Sequence, residues 1–358
     1  MPGATDDEAR IDLLLAGTVF FDVVFTGFPQ APAPGTEVWT DGMGSSPGGI
    51  ANLAVAASRL GLRTSLAAGF GDDLYADWLW NVLSQQEHID LRRSVRHNGA
   101  HTPVTVALAY EQDRAFVTHG HPWPTSVCDL LVHPPATRAV LVDLGDQDMR
   151  TSSWWHVSAQ AGALVFATAG WDPRQEWDQR ILRELHDCYA FLPNAPEAMG
   201  YTRTSTPEAA AEALSQYVPL TVVTMGTDGV IAIDRESGEQ AQVGAVPATV
   251  VDTTGAGDVF AAAIVLGTLR GWSLEQRLNF ATLCAGLAVQ QVGGSLAAPG
   301  WGDLLDWWRE TSDHARAGDP VATELIGRYG FLPGCLRGVD TLTVRRAQAT
   351  IARFSDAR

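Results

Sequence analysis

The stretch that most constrains the fold is Val250-Val251-Asp252-Thr253-Thr254-Gly255-Ala256-Gly257-Asp258-Val259-Phe260-Ala261-Ala262. A β-branched run enters it, small flexible residues turn it, and an alanine-rich apolar helix, expected over 259–269, leaves it. Gly255 and Gly257 permit a tight turn and let backbone N–H groups converge with no Cβ in the way. Those amides stand at the positive end of the helix, a ready anion site. Asp258 lies at the same helix start, and two readings compete for it. Its carboxylate caps the first turn, or it serves chemistry. An anion cradle beside a carboxylate is what phosphoryl transfer to a hydroxyl needs: the cradle holds charge and the carboxylate takes the proton.

A chain of 358 residues can bury a large core, as one α/β domain with insertions or as two domains. The net charge of −17 argues against nucleic acid and against an anionic membrane surface as partners. A small polyanion stays compatible if amides, Arg or a divalent metal supply the positive field. All 24 basic residues are arginine. A P-loop lysine, a protein-kinase strand lysine and a Schiff-base lysine are therefore excluded. Cys128, Cys188, Cys284 and Cys335 are widely spaced and read as free thiols in a reducing compartment. The start of the chain shows no basic segment followed by an apolar one, and no apolar run reaches membrane-spanning length. The expectation is a cytoplasmic protein.

Along the chain, 11–17 reads as a buried strand, and Asp22 follows just past its carboxyl end. Ligands of open α/β sheets bind at such ends. Residues 36–40 are expected as a short strand, 45–52 as a glycine turn, and 51–60 as a helix stopped by Gly61. A strand over 64–68 and a helix over 75–87 follow, with Trp78 and Trp80 assigned to packing. Residues 102–110 and 115–119 alternate with period two around a turn at 111–114, an antiparallel hairpin. Together with 36–40 it suggests a β lid, placed at about 25–45 and 98–121. Strands are expected at 139–142, 163–168, 189–192, 220–224 and 230–234, and helices at 207–216 and 274–291. A tail of about sixty residues follows Pro299, ending in a basic helix around 344–354. The expected division is one α/β domain over 1–300 and a partly helical extension over 301–358.

Several short motifs, each ambiguous alone, line up in order. Asn194-Ala195-Pro196-Glu197 follows a strand; an amide and a carboxylate three apart can hold hydrated Mg²⁺, or can simply start a helix. Thr224-Met225-Gly226-Thr227-Asp228-Gly229 is a hairpin turn or a backbone approach to a nucleotide. Gly48-Gly49 before Asn52 lets a polyol approach the backbone while the amide reads hydroxyls, and Asp22 accepts from the same hydroxyls or caps a turn. Gly293-Gly294-Ser295 is a helix C-cap or the edge of a cation or nucleotide site.

Jointly these elements, with Gly69-Phe70-Gly71-Asp72 and Asp252-Thr253-Thr254-Gly255-Ala256-Gly257-Asp258, resemble the ribokinase-like (PfkB-type) carbohydrate kinase family over roughly 11–300. The resemblance implies an α/β fold whose mainly parallel central sheet is flanked by helices, with a small antiparallel β lid over the sugar. It implies ATP-dependent phosphorylation of a small sugar, with a nucleoside as the alternative acceptor. Asp258 would be the base, and Gly255, Ala256 and Gly257 the anion hole. Asp22, Gly48, Gly49, Asn52 and Asp252 would hold the substrate. Thr224, Gly226 and Gly229 would line the ATP pocket, and Asn194 and Glu197 would organise Mg²⁺ through water. A monovalent cation such as K⁺ beside Asp252 and a homodimer through the lid belong to the same expectation. Two departures stand out: His88 where the family usually has Gly before Ile-Asp, and Trp171-Asp172-Pro173-Arg174 where Asn-x-Arg is commoner. A catalytically silent sugar sensor is the rival of another class. A dinucleotide oxidoreductase is weaker, because no G-x-G-x-x-G follows the first strand.

Overall fold

The computed structural model describes residues 11–110, 113–170, 172 and 175–336. Its strands are, in chain order, β1 (Ile11–Ala16), β2 (Val19–Thr26), β3 (Gly42–Gly49), β4 (Thr64–Ala67), β5 (Gly69–Phe70), β6 (Val95–Arg96) and β7 (Val104–Tyr110). There follow β8 (Asp113–His119), β9 (Thr137–Asp143), β10 (Leu164–Thr168), β11 (Ala190–Phe191), β12 (Leu220–Thr224), β13 (Val230–Asp234) and β14 (Glu239–Val243). Eight of them form one sheet in the order β14-β13-β12-β11-β10-β9-β1-β4. Pairing is parallel from β12 to β4 and antiparallel through β12, β13 and β14.

The apolar runs explain this sheet. Leu13, Leu14 and Leu15 in β1 and Val140, Leu141 and Val142 in β9 are buried on both faces, as a parallel sheet covered by helices requires. Alternation sorts them. Leu13 and Leu15 join a core with the helices Ile50–Arg59, Ala256–Leu269 and Leu274–Ala288, whereas Leu14 joins Trp154, Trp155 and Ile181 on the other side.

A second sheet, β3-β2-β7-β8, forms the lid. The β7–β8 hairpin is antiparallel as expected, but β2 pairs with β7 in parallel. The strand expected at 36–40 is absent; those residues carry no regular structure. One edge strand of the lid is β3, which absorbs most of the glycine turn expected at 45–52. Pro47 is tolerated there because an edge strand has one side free of ladder bonds. Only Gly49, at φ 62, makes the turn into the helix Ile50–Arg59.

The helix expected over 75–87 is α-helical over Leu74–Asn81 and continues as a π-turn over Val82–Gln86. Trp78 and Trp80 pack against Phe21 and Phe70, each at 5.2 Å between ring centroids. His88 has φ 55, the left-handed conformation that explains why a glycine suits this position. Beyond Pro299, helices Trp301–Arg316, Pro320–Arg328 and Leu332–Leu336 pack onto the kinase core. Residues 111 and 112 of the expected lid turn, Trp171, Pro173 and Arg174, and the helix expected at 344–354 lie outside the described residues. No helix among the described residues is long and apolar enough to cross a membrane.

Candidate active site

The carboxyl ends of β1, β4, β9, β10, β11 and β12 face one edge of the large sheet, and β1 lies between β4 and β9, where the strand order reverses. Every expected site residue lies on a segment leaving this edge, on the lid, or on a helix start beside it.

The Ala256–Leu269 helix begins earlier than expected, with Gly255 as its N-cap at φ 76. Asp258 is therefore the third residue of the helix, and the cap position carries no side chain, which removes the plain N-cap reading. Residues Val259 to Gly267 are all buried, so the helix cannot rotate to turn its first residues elsewhere. A Cβ on Gly255 would come within 3.0 Å of the Gly294 carbonyl oxygen, whereas one on Gly257 would meet nothing within 4 Å. The turn is thus packed behind Gly255 and open in front of Gly257. The Ala256 N–H already donates to the Thr253 carbonyl at 3.3 Å. The first-turn amides of Gly257 and Asp258 have no carbonyl within the helix to serve.

Burial pushes the Asp258 carboxyl up to about 7, with Asp143 adding repulsion and a hydrogen bond from Asn52 opposing it. Asn52 is itself 7% exposed, and its Oδ1 is a buried acceptor with no partner among the described residues. That oxygen lies against Gly294, where a Cβ would approach it to 2.6 Å. An orphaned acceptor aimed beside a carboxylate suits a hydroxyl donor.

Asp22 on β2 is likewise raised to about 7, first by burial and then by Asp252. Gly48 exists for this carboxylate: a Cβ there would lie 1.9 Å from Asp22 Oδ2. Asp252 Oδ1 accepts from the Thr254 N–H at 2.8 Å and its hydroxyl at 2.6 Å, and Oδ2 accepts from the Gly293 N–H at 3.1 Å. Gly293-Gly294-Ser295 therefore joins the two halves of the site. Ser295, fully buried, donates to the Pro47 carbonyl at 2.6 Å and fixes the end of β3.

Asn194 and Glu197 form a capping box on the helix Ala195–Thr202, which is the helix-start reading. Glu197 accepts from the Asn194 N–H at 3.0 Å and from its side-chain amide at 2.7 Å. Even so, burial and Asp143 hold Glu197 up at about 7. Residue 194 also bridges Thr224 in parallel, which sets the loop beside the Thr224–Gly229 turn. That turn is a hairpin between β12 and β13, with Gly226 at φ 59 and Gly229 at φ 94. Gly226 is open to solvent, whereas a Cβ on Gly229 would meet the Val243 carbonyl at 2.0 Å.

One residue escaped the sequence reading. Asp143 closes β9, holds the N–H groups of Gly145 at 2.8 Å and Gly170 at 3.2 Å, and is raised chiefly by burial. It acts on both Glu197 and Asp258, and it joins Glu197 and Asp172 in adding to the rise that burial imposes on Tyr201, so these carboxylates gather in one place. An acid ending an otherwise apolar strand at the sheet's ligand edge was the available signal.

Residues 33–300 match the pfkB family carbohydrate kinase model, whose matched segment begins after Asp22. A 5-dehydro-2-deoxygluconokinase from Bacillus thuringiensis is 24% identical over 334 residues, covering 82% of this chain and 93% of its own. A nucleoside kinase from Methanothermobacter thermautotrophicus is 26% identical over 301 residues, covering 82% and 94%. The Arabidopsis thaliana ribokinase solved with ribose and ATP superposes with a TM-score of 0.68 at 22% identity, covering 83% of this chain and 98% of the other. The chain belongs to the pfkB carbohydrate kinase family and is an ATP-dependent sugar kinase.

Proposed function

We propose that Asp258 accepts the proton of a sugar hydroxyl while the amides of the 255–257 turn take the charge developing on the transferred phosphoryl group. The hydroxyl oxygen bonds to the γ-phosphorus of ATP, the bond to the β-γ bridging oxygen breaks, and ADP leaves. A sugar hydroxyl is a poor nucleophile, so position, a base and a preorganised cradle are what the protein supplies. The observation that carries this reading is the Asp258 carboxylate, raised to about 7 beside an open turn and joined to Asn52. Asp22, Asn52, Asp252 and the backbone at Gly48 and Gly49 are the proposed sugar contacts. Thr224, Gly226 and Gly229 are proposed to line the nucleotide, because the parallel bridge brings that turn beside Asn194.

The donor set fits a hydrated divalent cation. Glu197, buried, and Asp143, half-buried, offer carboxylates that repel each other, hard oxygen donors of the kind Mg²⁺ takes. Among the described residues no three His, Cys, Asp or Glu side chains are grouped to hold an ion. When bound, Mg²⁺ would neutralise phosphate charge; Glu197, Asn194 and Asp143 are the residues proposed to hold it. A monovalent cation beside Asp252 and a homodimer through the lid, whose Phe116 and Val117 are 50% and 63% exposed, are carried as proposals. Rates in potassium against choline salts, and sedimentation at several concentrations, test them.

The experiment that tests the function is a panel of small sugars and nucleosides in an ADP-release assay with Mg-ATP. ADP release with a sugar is expected. Turnover only with nucleosides would replace the sugar by a nucleoside, the activity named for the archaeal relative. Sugar binding without turnover would favour a silent sensor.

A further inference from the structure

The extension beyond residue 300 lies outside the matched family segment, yet it reaches the nucleotide end of the site. Arg328, the last residue of the Pro320–Arg328 helix, turns a two-pronged guanidinium on two partners. Its Nε donates to Asn279 Oδ1 and one terminal nitrogen donates to the Gly244 carbonyl. Asn279 is 2% exposed on the helix Leu274–Ala288, a rigid base. Gly244 immediately follows β14 and is exposed, and its backbone is pressed against Gly229: a Cβ on Gly229 would lie 2.7 Å from Gly244 Cα. Behind Arg328, Tyr329 is fully buried and packs on Trp307 at 5.0 Å, so the end of this helix is anchored.

Gly244 opens a segment without regular structure that runs to the anion turn. Val246 packs on Gly286 of the same rigid helix, and the N–H groups of Val251 and Asp252 donate to the Val289 carbonyl at 2.8 and 3.1 Å. The far end of the segment is thus tied to the kinase core, and Arg328 ties the near end. We infer that Arg328 is a positioning residue for ATP: the extension, through this fork, holds the Gly244 wall against the Gly226–Gly229 turn. The inference rests on the assignment of that turn to the nucleotide. An arginine suits the role because its planar fork holds two acceptors in a fixed geometry, where a lysine presents a single flexible point charge.

The test uses the full-length protein, ADP with Mg²⁺ as the probe, and calorimetric titration alongside steady-state kinetics. Arg328→Met should weaken ADP binding and raise the ATP KM by about tenfold, the worth of one charge-assisted hydrogen bond. The sugar KM and kcat at saturating ATP should hold within about twofold, a split that a general loss of structure does not give. Arg328→Lys, which keeps the charge, serves if the Met variant does not fold. It should show a smaller loss and faster amide exchange over 244–251, with exchange in 274–288 unchanged. ADP affinity and segment exchange equal to those of the parent in a folded variant overturn the inference. A parent protein that binds no ADP overturns the nucleotide assignment itself, so the two failures are distinguishable.

Discussion

Asp258 shows most directly how the fold prepares a single residue. Its carboxyl is held up at about 7 first by burial, so near neutrality it passes between an acid and a competent base. kcat/KM should therefore rise with pH through about 7 and level off above it; a profile flat from pH 5.5 to 8.5 would remove Asp258 as the base. Asp258→Asn should leave ADP and sugar affinity near the parent's while cutting kcat by about 10²–10⁴-fold. The same substitution should affect stability in a defined direction. A carboxyl whose folded value lies above its unfolded value of 3.8 costs the fold increasingly as pH rises between the two. Asp258→Asn should accordingly raise the melting temperature at pH 8, with a gain that shrinks toward pH 5. An equal gain at both pH values would show that the stabilisation comes from packing instead of charge. Gly48 is the second residue where the geometry is explicit. Gly48→Ala sets a methyl into the Asp22 carboxylate and should raise the sugar KM while sparing that of ATP, read in the same assay.

At the scale of elements, what was legible in the sequence were segments with one dominant local cause. β1, β9 and β12 are each dominated by apolar residues, and the helix at 274 begins at the expected Ser273, whose hydroxyl accepts from the Gln276 N–H. What was not legible depended on partners far along the chain. Residues 45–49 look like a turn by composition, and only pairing with β2 draws them into a strand. Asp143 resembles any polar strand end until Glu197 and Asp258 are brought beside it. The same holds for Arg59, inconspicuous in the sequence as the end of an apolar helix. Its guanidinium grips Glu87 at 2.8 and 3.1 Å and donates to the carbonyls of Leu296 and Ala298 at 2.9 and 2.6 Å. The pair is buried, with side chains 2% and 8% exposed. It joins the Asn52 helix, the end of the π-turn and the loop that carries Gly293, Gly294 and Ser295. Removing one partner leaves a buried charge and unsatisfied carbonyls. Arg59→Met should cost about 3–5 kcal/mol, measured by urea unfolding. A loss below about 1 kcal/mol would mean that water reaches the vacated site.

The whole molecule is larger than the family segment, and its packing says why the extra residues stay. Trp301 is 5% exposed and donates from Nε1 to the Leu60 carbonyl at 2.9 Å, at the C-terminal end of the Asn52 helix. Phe280 and Trp272 of the core meet Trp301 and Phe331 of the extension, and Leu304, Tyr329 and Leu332 are fully buried in the same cluster. Arg270 lies over the Trp272 and Trp301 rings at 5.7 and 5.1 Å, with burial lowering its pKa, so it too relies on that cover. Each large apolar side chain in this seam contributes about 1.5–3 kcal/mol by burial, and five or six of them approach the net stability of a whole domain. The extension should consequently unfold together with the kinase core. Calorimetry of the full chain should show one transition with matching calorimetric and van't Hoff enthalpies. A chain ended after Pro299 should lose soluble yield or melt far lower, because it bares Phe280, Trp272 and the end of the Asn52 helix at once. Two resolved transitions, or a truncated chain that melts where the parent does, would make the extension an appendage, and the reach of Arg328 to the nucleotide wall would then need another anchor.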